Sequence, residues 1–384
     1  MQVDDVARGW PSGFGAADRR EREALLVLSS LQGITPRRLR RVAWAEGSAV
    51  RCLAAIREGR AGSRLDREYA EKIDPAAIMA ALEACGATVL TYGGPGYPSE
   101  LEDLQHDPPA WLFLRGRAFE AGEQRVAIVG SRSCSALGRE VAHELGRRLA
   151  GAGVPVVSGA ANGIDEASHR GALAAPGRTV AVLGSGIDVA YPRSNAALLD
   201  RILATGTVVS EYPPGVPAVP RNFPARNRIV AGLARALVVV EGAGKSGSRI
   251  SVDHALDLGR DVFAVPGPVT SPLAEVPLAL IREGATMIRG ADDLLDDLGI
   301  TWSPHAPPVE LPRQERLVLE ALTSPVPADS LARDAGLSLS ETLTALLGLE
   351  LRGLVRGAGG RFERTLRPSE AGSSELLAPP SGRC

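Results

Sequence analysis

Between residues 125 and 267 a short apolar run ends in a small-residue loop and gives way to a helical pattern, again and again. The runs read RVAIVGSR, VPVVSGAANGID, RTVAVLGSGID, GTVVSEYPPG, ALVVVEGAGKSGS and DVFAVPG. Each begins with β-branched or aliphatic residues and lacks the polar alternation of a half-exposed strand, which predicts strands covered on both faces. The segments between them, 136–150, 164–173, 195–204 and 247–258, carry apolar residues at helical spacing. Strand, glycine loop and helix in repetition predict an α/β fold, a doubly wound, mostly parallel sheet with helices on both faces. Loops that follow parallel strands open at one edge, so Arg132, Asn162, Asp188, Glu211 and Lys245 are expected to project into a common crevice.

A chain of 384 residues with 45% hydrophobic content is long enough for two or three domains. Its formal net charge of −2 gives no global cationic field, so any nucleic-acid contact has to come from a local patch. No apolar stretch is long enough to span a membrane, and the opening residues lack the pattern of a secretory leader; a cytoplasmic protein without membrane insertion is expected. The four cysteines, Cys52, Cys85, Cys134 and Cys384, form no CxxC pair and have no histidine at ligand spacing, which supports neither a metal site nor a disulfide framework. Lys72 and Lys245 are the only lysines, against an arginine-rich background.

Residues 1–18 have no periodic apolar face and are expected to be a disordered lead-in. Helical spacing starts at Arg19 and is interrupted at Gly33 and Pro36, the outline of a small helical domain over 19–85 with a hairpin. Arg37, Arg38, Arg40 and Arg41 give that hairpin charge, and two readings stand, a solvated structural face or a phosphate contact. The core is expected over 86–300, opening with short strands at 88–91 and 111–114 and closing with a strand at 285–290 and a helix. A proline-rich linker occupies 301–312, and three helices with a small β-wing over 313–366 make a winged-helix pattern. Residues 367–384 are expected to be a disordered tail.

Familiar nucleotide motifs fail on single residues. A Walker A loop around Lys245 needs glycine where Val239 stands, inside a strand. A dinucleotide fingerprint starting at Gly184 and Gly186 needs glycine where Val189 stands. No nucleophile elbow is present, and His169 beside Asp165 reads as a helix-face pair.

What remains is a crevice of backbone amides with a few cations. The candidate contacts are Gly130, Ser131 and Arg132 in the first loop, Ser158, Gly159, Asn162 and Gly163 in the second, and Lys245, Ser246 and Gly247 in a third. Between them lies a segment with Phe223, Arg226, Asn227 and Arg228. Several phosphate cradles in a row beside an aromatic residue suit a chain of nucleotides better than one mononucleotide. Phe223 is either a stacking platform or a core aromatic, and one of Arg226 and Arg228 is expected to be structural, paired with Glu211 or Glu241.

The same order of segments, VAIVGSR, SGAANGIDEASH, GSGIDVAYP, SEYPPG, FPARNRIVAGL, VEGAGKSGS and GRDVFAVPGP, resembles the DNA-processing protein A (DprA, or Smf) family over roughly residues 95–290. The resemblance implies a Rossmann-like core, a small helical domain of SAM or helix-hairpin-helix type before it and a winged helix after it. It further implies a protein without catalytic activity or cofactor that binds single-stranded DNA, forms a homodimer through the core and loads RecA onto incoming DNA in natural transformation. By position, the family's GSR loop is Gly130 to Arg132, its FPxRNR segment Phe223 to Arg228 and its KSG loop Lys245 to Gly247. Glu275-Val276-Pro277 departs from the family, which usually has glycine and asparagine there.

The presumed recognition helix, 338–350, contains no lysine or arginine and includes Glu341 and Glu350, a poor face for a phosphate backbone. A protein-contact or regulatory role is expected for it. The rival reading for the whole chain is a Rossmann-like phosphoribohydrolase using Glu211 or Glu241 with Arg226. Its PGGxGTxxE motif is missing, since Pro266-Gly267-Pro268 is followed by Val-Thr-Ser. A protein-only scaffold would leave the aligned amide loops without a ligand.

Overall fold

A computed structural model describes residues 9–16, 18–31, 33–104, 107–244, 247–300, 311–352 and 354–364. Contacts divide the chain into two units, Met1–Thr301 and Trp302–Cys384. The first is organised on strands β1 (Thr88–Thr91), β2 (Trp111–Gly116), β3 (Val126–Val129), β4 (Val156–Ser158), β5 (Thr179–Gly186), β6 (Thr207–Tyr212), β7 (Ala236–Val239), β8 (Asp261–Ala264) and β9 (Thr286–Met287). They form one sheet in the order β1-β2-β6-β5-β4-β3-β7-β8-β9. From β6 to β9 every pairing is parallel, while β1 pairs antiparallel with β2 and β2 with β6.

The expected Rossmann-like sheet is therefore present, with an antiparallel addition at one edge. The chain starts the parallel part at β3, winds outward through β4, β5 and β6, then returns to the other side of β3 with β7. That reversal separates the loops after β3 and β7 and opens a crevice between them.

The core helices are α6 (Ala136–Gly151), α7 (Ile164–Ala172), α8 (Ala196–Thr205), α9 (Asn222–Gly232), α10 (Ser248–Asp257), α11 (Glu275–Arg282) and α12 (Ala291–Asp297). Strand residues alternate between two apolar layers. Trp111, Phe113, Ala181 and Leu183 enter one, whereas Leu112, Leu114, Val180 and Val182 enter the other. Burial on both faces is why these strands read as continuous apolar runs.

Five helices precede the sheet, α1 (Arg19–Ser30), α2 (Pro36–Glu46), α3 (Ala49–Arg57), α4 (Arg64–Lys72) and α5 (Pro75–Cys85). Their boundaries follow from capping chemistry. Asp18, Thr35, Ser48 and Asp74 each accept a first-turn amide, Ser63 and Asp66 close a capping box, and Pro36 and Pro75 sit at helix starts where no amide is needed.

These helices do not form a unit apart from the core. Leu25 and Leu28 share an apolar cluster with Trp111, Phe113, Leu183 and Ile202. The lead-in is also packed over 9–16: Trp10 and Phe14 are buried and stack at 4.9 Å, and Trp10 Nε1 donates to the Pro108 carbonyl at 2.8 Å. Residues 1–8 and 17 lie outside the described residues.

The second unit consists of α13 (Arg313–Ala321), α14 (Ala328–Ala335), α15 (Leu339–Leu351) and the antiparallel hairpin β10 (Val355–Ala358) and β11 (Arg361–Arg364). Val318, Leu322, Leu331, Leu346 and Leu349 form its core. This is the winged-helix pattern read from the sequence. Linker residues 301–310 and tail residues 365–384 lie outside the described residues.

Candidate nucleic-acid interface

A crevice of about 480 Å³ opens at the reversal point of the sheet. Its walls come from the loop after β3 (Gly130, Ser131, Arg132), the loop after β4 (Gly159, Ala161), helix α9 (Phe223, Arg226, Asn227) and the start of α10 (Gly247, Ser248, Ser251). Of the α9 residues that line it, Phe223, Arg226, Asn227 and Val230 are spaced i, i+3, i+4 and i+7, with Pro224 beside Phe223, so one broad helix face is turned to the opening.

The loops after β3, β4 and β7 interlock through backbone. Ser131 N–H donates to the Glu241 carbonyl at 2.8 Å, and Ile164 N–H donates to the Ser131 carbonyl at 3.2 Å. A Cβ at Gly130 would lie 2.7 Å from the Ile164 side chain and 2.8 Å from the Glu241 carbonyl. Gly163, with φ of +84°, has the Ser131 carbonyl where a Cβ would point. Glycine is thus required for assembly at both positions. Neither loop requires a ligand to hold its shape.

Arg132 is exposed and makes no ion pair among the described residues, and its guanidinium lies 5.3 Å from the centre of the Phe223 ring. The Phe223 ring also meets that of Tyr191, 46% exposed, at 5.2 Å. Phe223 is half-buried, in keeping with a platform held by its neighbours. The sequence reading did not single out Tyr191, although it stands within the GSGIDVAYP segment.

Arg226 and Arg228 have different fates because two residues along a helix point to different sides. Arg228 is buried and pairs with both Glu211 oxygens at 2.6 Å, with Asp107 at 3.0 Å. Burial alone would lower its pKa, but Glu211 and Asp107 raise it well above the ordinary value. It is the structural arginine of the pair and has no access to a ligand.

Arg226 forms the crevice floor. It donates to the Val182 carbonyl, lies against Gly159, and leaves Nε without a partner among the described residues. Burial brings its pKa down to about 10, with Asp165 acting against the shift and Arg132 adding to it. Asp165 is also buried, which pushes its carboxyl above the usual range while the Arg226 charge opposes the shift.

Other expected contacts lie elsewhere. Ser158 is fully buried and donates to the Ile128 carbonyl at 2.6 Å, so it serves the sheet. Asn162 is exposed but sits outside the crevice lining, accepting from Ser194 at 3.3 Å. Asp188 holds the Gly215 amide at 2.7 Å, and Glu211 is committed to Arg228, so neither projects into the crevice. Glu241 pairs with no arginine among the described residues. Its carboxylate accepts from the Ser135 amide and hydroxyl at 2.8 and 2.5 Å, at the start of α6, where a helix dipole favours negative charge. Asn227 lines the wall and donates to the Gly247 carbonyl at 3.2 Å. Lys245 and Ser246 lie outside the described residues. No cluster of metal-ligating side chains occurs among the described residues.

The hairpin before α2 is closed to phosphate. The Gly33 and Ile34 amides both donate to Asp66, at 2.9 and 3.1 Å. In the second unit α15 presents Leu339, Leu343, Leu347 and Leu351 to solvent, with no cation among them.

The profile of the DNA recombination-mediator protein A family matches residues 88–299. The chain belongs to this family. A profile of the DprA winged helix domain matches residues 303–361. The chain is 38% identical over 284 residues to Protein Smf of Escherichia coli, covering 71% of this chain and 75% of the relative. It is 41% identical over 277 residues to the putative DNA processing protein DprA of Mycobacterium tuberculosis, covering 70% of each. The X-ray structure of DNA processing protein A from Streptococcus pneumoniae matches with a TM-score of 0.62 and 33% identity, over 74% of this chain and 99% of that one. Of the ordered loop segments, VAIVGSR, SGAANGIDEASH, FPARNRIVAGL and VEGAGKSGS contribute residues to the crevice lining.

Proposed function

We propose that this DprA-family chain binds single-stranded DNA in the crevice between β3 and β7, without catalysing a reaction. The observation that carries the proposal is an exposed cation over an aromatic ring, Arg132 over Phe223, in the wall of the crevice. Cations track the backbone of an unpaired strand while bases stack on rings, and this wall offers both. Lys245 and Ser246 extend the third loop in sequence. The reading extends to a cytoplasmic recombination mediator that forms a homodimer through its core and loads RecA, in natural transformation or related DNA processing. The phosphoribohydrolase reading loses its carboxylates, because Glu211 is tied to Arg228 and Glu241 to the start of α6.

Arg132→Ala and Lys245→Ala are each expected to weaken a labelled oligonucleotide about tenfold and to reduce the slope of log K against log salt by about 0.7, the share of one single-strand phosphate. Arg132→Ala, a change at an exposed side chain, is expected to leave stability within about 0.5 kcal/mol. Unchanged affinity in both variants would place the strand elsewhere.

The winged helix is read as a protein-contact or regulatory module, because α15 offers leucines and acids instead of cations. Leu343→Ser combined with Leu347→Ser is expected to leave oligonucleotide affinity unchanged, measured by anisotropy. A severalfold loss would mean that α15 meets DNA after all.

A further inference from the structure

Helix α2 turns one edge inward and the opposite one out. Leu39 and Ala43 are buried, and the buried Arg40 feels the Asp107 charge, which ties this helix to the same ion network as Arg228. On the outer side Arg37, Arg41 and Trp44 are spaced i, i+4 and i+7 and are exposed, with Arg38 flanking them. None of the three outward arginines makes an ion pair among the described residues. Burial depresses the Arg40 pKa, Asp107 opposes the shift, and Arg37 and Arg41 add to the depression, so their charges concentrate on one spot.

Trp44 is 40% exposed, and its ring edge is anchored by Nε1 donating to the Gly9 carbonyl at 3.1 Å. An indole with a fixed edge and an open side, one turn from the Arg41 guanidinium and two turns from that of Arg37, carries the same chemistry as the Arg132 and Phe223 wall.

The two places are connected. A cleft of about 250 Å³ is lined by Ile34, Thr35 and Pro36 at the start of α2 and by Tyr212, Arg221 and Ala225 on the other side. Arg221 and Ala225 flank Phe223 in sequence, two residues away on either side. Helix α9 thus borders the crevice through Phe223 and this cleft through Ala225, and the cleft reaches the start of α2.

We propose that α2 is a second single-stranded nucleic-acid site, in which Arg37, Arg38 and Arg41 hold phosphates and Trp44 stacks a base of the strand that emerges from the crevice. The mode differs from a hairpin-amide contact, whose donors are consumed by Asp66. It rests on the crevice reading for its route and adds a separate footprint.

The test compares oligothymidylate probes of about six and about twenty nucleotides, since one groove of this kind covers about 4–16. Arg37→Ser with Arg41→Ser is expected to hold the short probe as the unaltered chain does and the long probe about tenfold more weakly, with the salt slope for the long probe falling by about 1.4 for two lost phosphates. Arg37→Lys with Arg41→Lys restores the slope. Trp44→Ala weakens only the long probe, by about tenfold, and Trp44→Phe, which keeps a ring, restores it. Equal affinity and slope for the long probe in the unaltered chain, the arginine pair and Trp44→Ala would overturn the α2 site and leave the crevice standing. Failure of the unaltered chain to hold either probe would overturn the crevice reading and the α2 site with it.

Discussion

Arg228→Ala is expected to cost the first unit about 3–5 kcal/mol, the penalty of leaving a buried carboxylate unpaired. The guanidinium spans Glu211, Asp107 and the Ala225 carbonyl, so its removal strands Glu211, which is 9% exposed, beneath the end of β6. Arg228→Lys does not rescue, because an ammonium cannot meet both Glu211 oxygens with one planar fork. Thermal unfolding should fall by roughly 5–15 °C. The contrast with Arg132→Ala is the informative one. Arg132 variants are expected to lose DNA at full stability, and Arg228 variants to lose stability first. A midpoint within 2 °C of the unaltered protein, read by calorimetry, would contradict the assignment of Arg228 to the fold.

The strands were legible because burial on both faces leaves its mark locally, in runs such as VAIV and ALVV. The crevice was legible for a related reason. Loops that follow parallel strands share an edge, and the glycines at 130 and 163 mark where backbones cross closely. Which side chains enter it was only partly legible. The FPARNR segment reads as a linear cluster, but it lies in α9, and helical geometry sends 223, 226 and 227 to the opening and 228 to Glu211. Applying a 3.6-residue period to that segment would have separated the two arginines.

Other assignments depended on distant partners that no local pattern records. Glu211, at the end of β6, and Asp188, in the loop after β5, stand at the edge of the sheet where the crevice opens, yet an arginine and a backbone amide claim them. Trp10 and Phe14 stand in a stretch without periodicity and are buried because Trp111 and the Pro108 carbonyl receive them. Irregular aromatic residues near a chain end carry no periodic signal, and their burial is set by the surface they reach.

Acid is expected to loosen this floor through His169. The ring sits fully buried on α7 beneath the crevice, its Nδ1 2.6 Å from the Thr179 hydroxyl oxygen. That hydroxyl donates to the Val156 carbonyl at 2.8 Å, so its oxygen accepts from Nδ1, and the imidazole is neutral with its proton there. Burial, then the Arg226 charge, hold its pKa down at about 3, against an ordinary 6.5. Between those values the unfolded chain binds a proton that the folded chain refuses, so stability is complete above pH 6.5 and falls as pH drops below it. The loss is about 1.4 kcal/mol for each pH unit in that window. Asp165 works in the opposite direction, since a raised carboxyl pKa lets the folded state gain a proton first as pH falls. Urea unfolding at pH 7 and pH 5 should therefore show a loss of about 2 kcal/mol that His169→Gln removes in large part, leaving the residual slope to carboxylates. Equal losses in the two proteins would mean that the buried ring is not the group that titrates.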